Sequence, residues 1–217
     1  MKNTLLITAL VLITNCTNAQ KYSEQQNLII NSMPVEVNTK KIHKAYFASG
    51  CFWCVEAIYE NVSGVKEVIN GYAGGHTKNP TYESSNTGKT GHAEAVEVIY
   101  NTEKVSYSSL VDVYFGSQNV TQINGQGPDN GSQYRSIIFY QNEQEQKIIN
   151  YKKKLLSKKL NSKIAAEVVP YKKFWVAEEY HQNYERLHPN NRYIKGVSIP
   201  RLNNFKKKFP QLLKVKH

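Results

Sequence analysis

The stretch Ser49-Gly50-Cys51-Phe52-Trp53-Cys54-Val55-Glu56, SGCFWCVE, decides how the rest of the chain is read. It joins an apolar run, Ala45 to Ala48, to a segment in which Phe52, Val55, Ile58, Tyr59 and Val62 recur at helical spacing. A cysteine therefore falls where a strand ends and a helix begins. Backbone N–H groups at a helix N-terminus lack intrahelical partners and favour negative charge, so this position predicts Cys51 as a thiolate. Phe52 and Trp53 supply an apolar wall beside it. Cys54 follows about one helical turn later, near enough to close a disulfide. The plainer alternative is that both cysteines are small buried hydrophobes.

On the C-terminal side, Ser63-Gly64 stops the helix and Val65 to Tyr72 reads as a second strand. Gly71-Tyr72-Ala73-Gly74-Gly75-His76 and Asn79-Pro80-Thr81-Tyr82 form a long loop. Ala93 to Tyr100 is the clearest strand. Alternation puts Glu94, Val96, Val98 and Tyr100 on one face, with Ala95, Glu97 and Ile99 on the other. A carboxyl group sharing an apolar face has a raised pKa and stays protonated near neutrality, as a general acid must. The competing reading is an exposed carboxylate on an edge strand. A serine-capped helix from Ser106 or Ser108 to Phe115 comes next, followed by a Gly-, Asn- and Gln-rich passage from Gly116 to Gln133. Loops of that length in a compact domain usually build a site.

Tyr134-Arg135-Ser136 leads into a strand from Ile137 to Tyr140, and Asn142 caps a basic helix to about Leu160. Ala165 to Val169 is a further strand, Ala177 to Leu187 a further helix, and Pro200 opens a last helix with Leu202, Phe205 and Phe209 inward. From Lys44 to Tyr140 the order is strand, helix, strand, strand, helix, strand. The predicted fold is α/β (α+β): a ferredoxin-like split β-α-β core with a mixed sheet, long active-site loops and added C-terminal helices.

The chain has 217 residues, 40% of them hydrophobic and 21% charged, which suits one globular domain, here 41–217. Lys2 precedes an apolar run from Thr4 to Thr14, too short to span a bilayer comfortably but the size of a signal-peptide core. Two endings stay open. Ile13-Thr14-Asn15-Cys16 resembles a lipoprotein box with Cys16 lipidated, and Thr17-Asn18-Ala19 resembles an ordinary cleavage site. Residues 1–19 are thus read as a signal peptide and 20–40 as a flexible linker. The expected location is the periplasm or cell envelope, with a membrane tether if Cys16 is acylated.

With Cys16 removed or acylated, the domain keeps Cys51 and Cys54, too few for a disulfide framework and better suited to redox chemistry. A zinc site needs about four ligands. His76 and His92 have no second Cys or His pair beside them, so no metal is expected. Net charge is +11, gathered in Lys152-Lys153-Lys154, Lys158-Lys159, Lys172-Lys173 and Lys206-Lys207-Lys208. These runs read as solvated helix faces, and without a recognition motif they argue against nucleic acid as a partner.

Six pieces in order carry a family resemblance: GCFW (50–53), GYAGG (71–75), NPTY (79–82), TGHAEAVEV (90–98), QGxDxGxQYRS (126–136) and EYHQxY (179–184). Together they resemble peptide methionine sulfoxide reductase, type A. The resemblance implies reduction of methionine S-sulfoxide, free or in proteins, by a monomer with no bound cofactor. An external reductant, a thioredoxin-like protein or a dithiol, completes the cycle. It implies that Cys51 attacks the sulfoxide sulfur, Glu94 protonates the oxygen, Tyr82 and Tyr134 hydrogen-bond that oxygen, Asp129 orients the polar network, and Phe52 and Trp53 hold the methyl group. The sulfenic acid left on Cys51 condenses readily with a neighbouring thiol.

The chain departs from the family in three places. Many members carry recycling cysteines near the C-terminus, and no cysteine follows Cys54 here. Cys54 then resolves the sulfenic acid, or an external thiol does so directly. Gln118-Asn119-Val120-Thr121 stands where His-Asp-Pro-Thr is usual, and Gly125 replaces an arginine, which implies altered loop packing. Two other classes remain open. A thioredoxin-like disulfide oxidoreductase explains the Cys51-x-x-Cys54 pair but leaves Glu94 and Tyr82 idle, and a basic binding protein explains only the lysines.

Overall fold

Strand β1 (Ile42–Ser49) lies inside the sheet because its residues from Ala45 to Ala48 are apolar and buried on both faces. The computed structural model describes residues 41–215; the apolar leader, Cys16 and the 20–40 linker lie outside the described residues. After β1 come α1 (Phe52–Glu60), β2 (Val65–Ala73), a short α2 (Tyr82–Asn86), β3 (Ala93–Asn101) and α3 (Tyr107–Gly116). A small hairpin, β4 (Gly125–Gln126) and β5 (Asp129–Asn130), precedes β6 (Ser136–Tyr140), α4 (Glu143–Leu160), β7 (Glu167–Pro170) and β8 (Phe174–Val176). The chain continues through α5 (Tyr184–Leu187) and α6 (Ile199–Lys208).

The main sheet has the order β7-β6-β1-β3-β2-β8. Strands β6, β1, β3 and β2 pair antiparallel, and β7 adds parallel to β6. Two crossovers, β1-α1-β2 and β3-α3-β6, interleave in that order, as the split β-α-β pattern requires. Strand β3 is internal, flanked by β1 and β2, so the edge-strand reading of Glu94 does not hold.

The register sets the two faces. Phe47 pairs with Val96 and Ala45 with Val98 on the side covered by α1 and α3. There Phe47 stacks on Tyr59 at 5.0 Å and packs against Tyr114 at 5.6 Å between ring centroids. Both phenols find backbone acceptors, Tyr59 on Leu110 O and Tyr114 on Ala48 O, so the aromatic core leaves neither hydroxyl unpaired. The other face carries Tyr46, Ala48, Ala95, Ile137 and Phe139, covered by Tyr171 from the connection to β8 and by Phe174 at the start of that strand.

Caps fall where the sequence puts them: Ser106 accepts from Ser109 N at the start of α3, and Asn142 accepts from Glu145 N at the start of α4. The predicted helix over 177–187 is not formed. After β8 ends at Val176, the segment is a 3₁₀ turn at Glu179–His181, a left-handed Asn183 at φ +57°, and the single turn α5. Hydrogen bonds to the edge of β2 replace helical ones. Ala177 N–H donates to Asn70 O, Gln182 accepts from Asn70 N–H, and Asn70 Nδ2 donates to His181 O.

Candidate active site

The site is built where β1 ends. Gly50 turns the chain at φ +81°, and a Cβ there would lie 2.5 Å from the Gln126 side chain, so only glycine allows the β4 strand to approach. Cys51 occupies the N-cap position of α1 and Cys54 lies on its first turn. Both are buried free thiols hydrogen-bonded to each other.

The first backbone N–H of α1 is taken by a carboxyl rather than a thiolate: Phe52 N–H donates to Glu94 Oε2 at 2.9 Å. Glu94 is 2% exposed, and burial pushes its pKa up to about 8, against the opposing pull of that N–H. It is therefore protonated at neutral pH, with one oxygen accepting from the helix and a proton on the other.

The cysteine pair corrects the expectation for Cys51. Burial pushes the Cys51 thiol well up, and its hydrogen bond and charge contact with Cys54 and the nearby Glu94 push it further. Cys54 falls to about 6, chiefly through the hydrogen bond from Cys51, against burial and with help from the Arg201 charge, Ser198 and Tyr193. The two sulfurs therefore share one ionisation, and the surroundings favour the charge on Cys54 over Cys51. A helix N-terminus alone does not decide which sulfur is ionised, because Arg201 and the hydroxyls gather at the second one.

Tyr82 reaches the site as the first residue of α2. Thr81 and Ser84 form a reciprocal capping box that starts this helix. Glu178 fixes it from the far side, accepting from Tyr82 N–H at 2.9 Å and Tyr72 Oη at 2.8 Å. Tyr134 ends a 3₁₀ turn held by Arg135, whose guanidinium donates to Ser132 O and Gly91 O and pairs with Glu167 at 3.1 Å. The two tyrosines are hydrogen-bonded to each other and feel the charges of Glu94 and Cys51; burial raises both phenol pKa values. His92 has a structural part, accepting from Gly75 N–H at Nδ1 and bonding Thr77 O through Nε2, which ties the glycine loop to β3.

Phe52 is buried against Tyr72 and His181, while Trp53 is half-buried and stacks on Tyr184 at 3.8 Å. Trp53 Nε1–H donates to His181 Nδ1 at 3.2 Å, and burial holds the histidine below its usual pKa, so the ring accepts as a neutral imidazole. The hydrogen-bond partner of Asp129 is Tyr193 rather than Tyr82 or Tyr134. Asp129 Oδ2 accepts from Tyr193 Oη at 2.6 Å, and Tyr193 Oη in turn lies 3.7 Å from Cys54 Sγ.

Sequence reasoning missed Tyr193, Arg201, Glu178 and His181. Arg201 bridges the ends of β1 and α3, donating to Ser49 O, Ser49 Oγ and Ser117 O. Only His181, inside EYHQxY, stood in a recognisable motif. The departures at 118–119 are absorbed locally: Gln118 Oε1 accepts from Ser136 Oγ at 2.6 Å and from Gln126 Nε2, and Asn119 N–H donates to Gln126 Oε1. Among the described residues no group of three or more His, Cys, Asp and Glu side chains is placed to hold a metal ion.

Residues 43–213 match the family model described as peptide methionine sulfoxide reductase. The peptide methionine sulfoxide reductase MsrA of Pasteurella multocida is 43% identical over 79% of this chain and 98% of its own length. That of Picrophilus torridus is 44% identical over 76% and 93%. Among solved structures, Mxr1 of Saccharomyces cerevisiae in reduced form superposes with a TM-score of 0.65 at 32% identity, covering 71% of this chain and 90% of that one. Methionine sulfoxide reductase A of Corynebacterium diphtheriae gives 0.64 at 31% identity over 71% and 78%. With its cysteine, carboxyl and tyrosines assembled on this fold, the chain belongs to the peptide methionine sulfoxide reductase family.

Proposed function

We propose that this protein repairs oxidised proteins by reducing methionine S-sulfoxide to methionine at Cys51. The observation that carries the reading is the buried, protonated Glu94 carboxyl on the N–H of the residue that follows Cys51. Phe52 and Trp53 hold the substrate methyl group, and Tyr82 and Tyr134 donate to the sulfoxide oxygen. As substrate displaces water, Cys51 passes its proton to Cys54 and its sulfur attacks the sulfoxide sulfur. Glu94 protonates the oxygen, which transfers to Cys51, and methionine leaves. The products are a Cys51 sulfenic acid, a Cys54 thiol and a Glu94 carboxylate, so protons and charge balance.

Cys54, already hydrogen-bonded to Cys51, then attacks the sulfenic sulfur and water departs, leaving a Cys51–Cys54 disulfide. Closing it requires the first turn of α1 to loosen. That turn has no side-chain cap, and its Val55 N–H to Cys51 O bond is long at 3.3 Å. A thioredoxin-like protein or a dithiol restores the pair. The apolar leader with Cys16 supports export to the periplasm or cell envelope, where disulfide chemistry prevails.

The test supplies the S and R epimers of methionine sulfoxide separately to reduced protein without added reductant. The S epimer should release up to one methionine per chain, the R epimer none, and Cys51→Ser should release none from either. Equal release from both epimers, or release by the serine variant, would contradict the proposal.

A further inference from the structure

The relay above leaves its disulfide buried, and the structure contains a second approach to it. A cavity of about 630 Å³ is lined by Cys54, Gln126, Asp129, Gly196, Arg201 and Lys208, among others. Its lining takes in Cys54 but not Cys51, Phe52, Trp53, Tyr82 or Tyr134. The volume is that of an ordinary ligand pocket. Resting on the proposed reduction at Cys51, we infer that this cavity is the reductant subsite, admitting an anionic thiolate to Cys54 Sγ from the side opposite the sulfoxide.

The charge and the walls suit that occupant. Arg201 is pinned by Ser49 and Ser117, and Lys208 Nζ donates to Gly116 O, so two cations stand at fixed positions around one carboxylate, Asp129. Tyr193 Oη already occupies Asp129 Oδ2, which reduces its repulsion of an incoming anion. Gly127, Pro128, Gly196 and Val197 also line the cavity, and a Cβ on Gly127 or Gly196 would meet no atom within 4 Å. Neither glycine is needed for close packing, and their bareness keeps the approach clear.

In the step assigned to the cavity, the reductant thiolate attacks Cys54 Sγ and the Cys51–Cys54 bond breaks. The electron pair stays on Cys51 Sγ, which takes a proton from Glu94 once that carboxyl has been reprotonated by solvent. The second thiol of a dithiol gives its proton, through solvent, to the Glu94 carboxylate and attacks the mixed disulfide, releasing Cys54 as a thiolate; with a monothiol, a second molecule does so. Overall one dithiol is oxidised and the cysteine pair is reduced. Sulfoxide and reductant thus use separate entrances, and product methionine need not leave before the reductant arrives.

The test uses Gly196→Trp, which fills the cavity from a backbone position outside the left-handed region, and Lys208→Glu, which reverses its charge. Stopped reactions measure the methionine burst without reductant, and then re-reduction of the disulfide by thioredoxin, by glutathione and by uncharged 2-mercaptoethanol. Both variants should give the wild-type burst. Gly196→Trp should slow re-reduction by about tenfold or more, and Lys208→Glu should slow glutathione more than 2-mercaptoethanol, with a difference that salt erases. A thioredoxin rate that falls with glutathione unaffected assigns the subsite to a protein loop, and the converse assigns it to a small thiol. Re-reduction at the wild-type rate by all three reductants in both variants would overturn the inference while the burst leaves the reductase intact. No burst in the wild type would instead overturn the proposed function.

Discussion

In the proposed mechanism Glu94 carries the acid step, and its buried environment gives that step a pH signature. With its pKa near 8, the acid form is lost as pH rises through that value, so the rate of methionine release should decline on the alkaline side with an apparent pKa near 8. Glu94→Gln keeps an acceptor for Phe52 N–H but has no proton to give; release should slow by about 10²- to 10⁴-fold and lose that limb. The same residue predicts a stability effect. Its folded pKa lies above its usual value of 4.5, so between about 4.5 and 8 the folded state binds a proton that the unfolded state does not, and stability falls as pH rises across that window. Glu56, raised by burial to about 7, adds to the same slope. Thermal melting should therefore find Glu94→Gln more stable than the wild type above pH 8, with the difference shrinking toward pH 4. Parallel pH profiles for the two proteins would remove Glu94 from the account. Strand alternation placed this carboxyl in a row with Val96, Val98 and Tyr100, but an exposed edge-strand position stayed open until β1 and β2 were seen to flank β3. The ionisation of the cysteine pair was not legible, since Arg201 and Tyr193, which favour charge on Cys54, lie far along the chain.

Among the elements, the segment from Ala177 to Leu187 shows where local pattern and tertiary structure diverge. Its apolar spacing suits a helix and it contains neither Gly nor Pro, yet Asn70 on β2 and Glu56 on α1 supply better partners than a helical ladder would. Asn183 is the hinge of the change. Its left-handed backbone aims its N–H at Glu56 Oε1, 2.8 Å away, and directs Tyr184 onto the Trp53 ring. Asn183→Gly should fold normally, whereas Asn183→Val should lose about 1–2 kcal/mol from the cost of the left-handed conformation. Because Trp53 loses its stacking partner, KM for the sulfoxide should rise more than kcat falls in the valine variant. Denaturant titration with steady-state kinetics checks both; a valine variant as stable as the glycine one would show that the turn is not under that constraint. Helices with their own caps, α3 and α4, were readable because Ser106 and Asn142 act within one turn. Strand β8 was not, since three residues acquire a partner only once β2 is in place.

For the molecule as a whole, the order strand, helix, strand, strand, helix, strand sufficed to anticipate the core sheet, and the long loops flagged as site-building do converge on Cys51. What joins the two halves of the site escaped notice because it depends on contacts of long sequence separation: Trp53 with His181, Asp129 with Tyr193, and Ser49 with Arg201. These bonds bring the C-terminal region over a ferredoxin-like core and give Cys54 its charge and its cavity. In the proposed relay it is Cys54, rather than a later cysteine, that resolves the sulfenic acid. Intact mass of the reduced protein after one equivalent of methionine S-sulfoxide, without reductant and with released methionine counted, tests this most directly. One methionine per chain with a protein lighter by two hydrogens is the expected result. No methionine, or methionine with an added oxygen that persists on the protein, would contradict reduction at Cys51 resolved by Cys54.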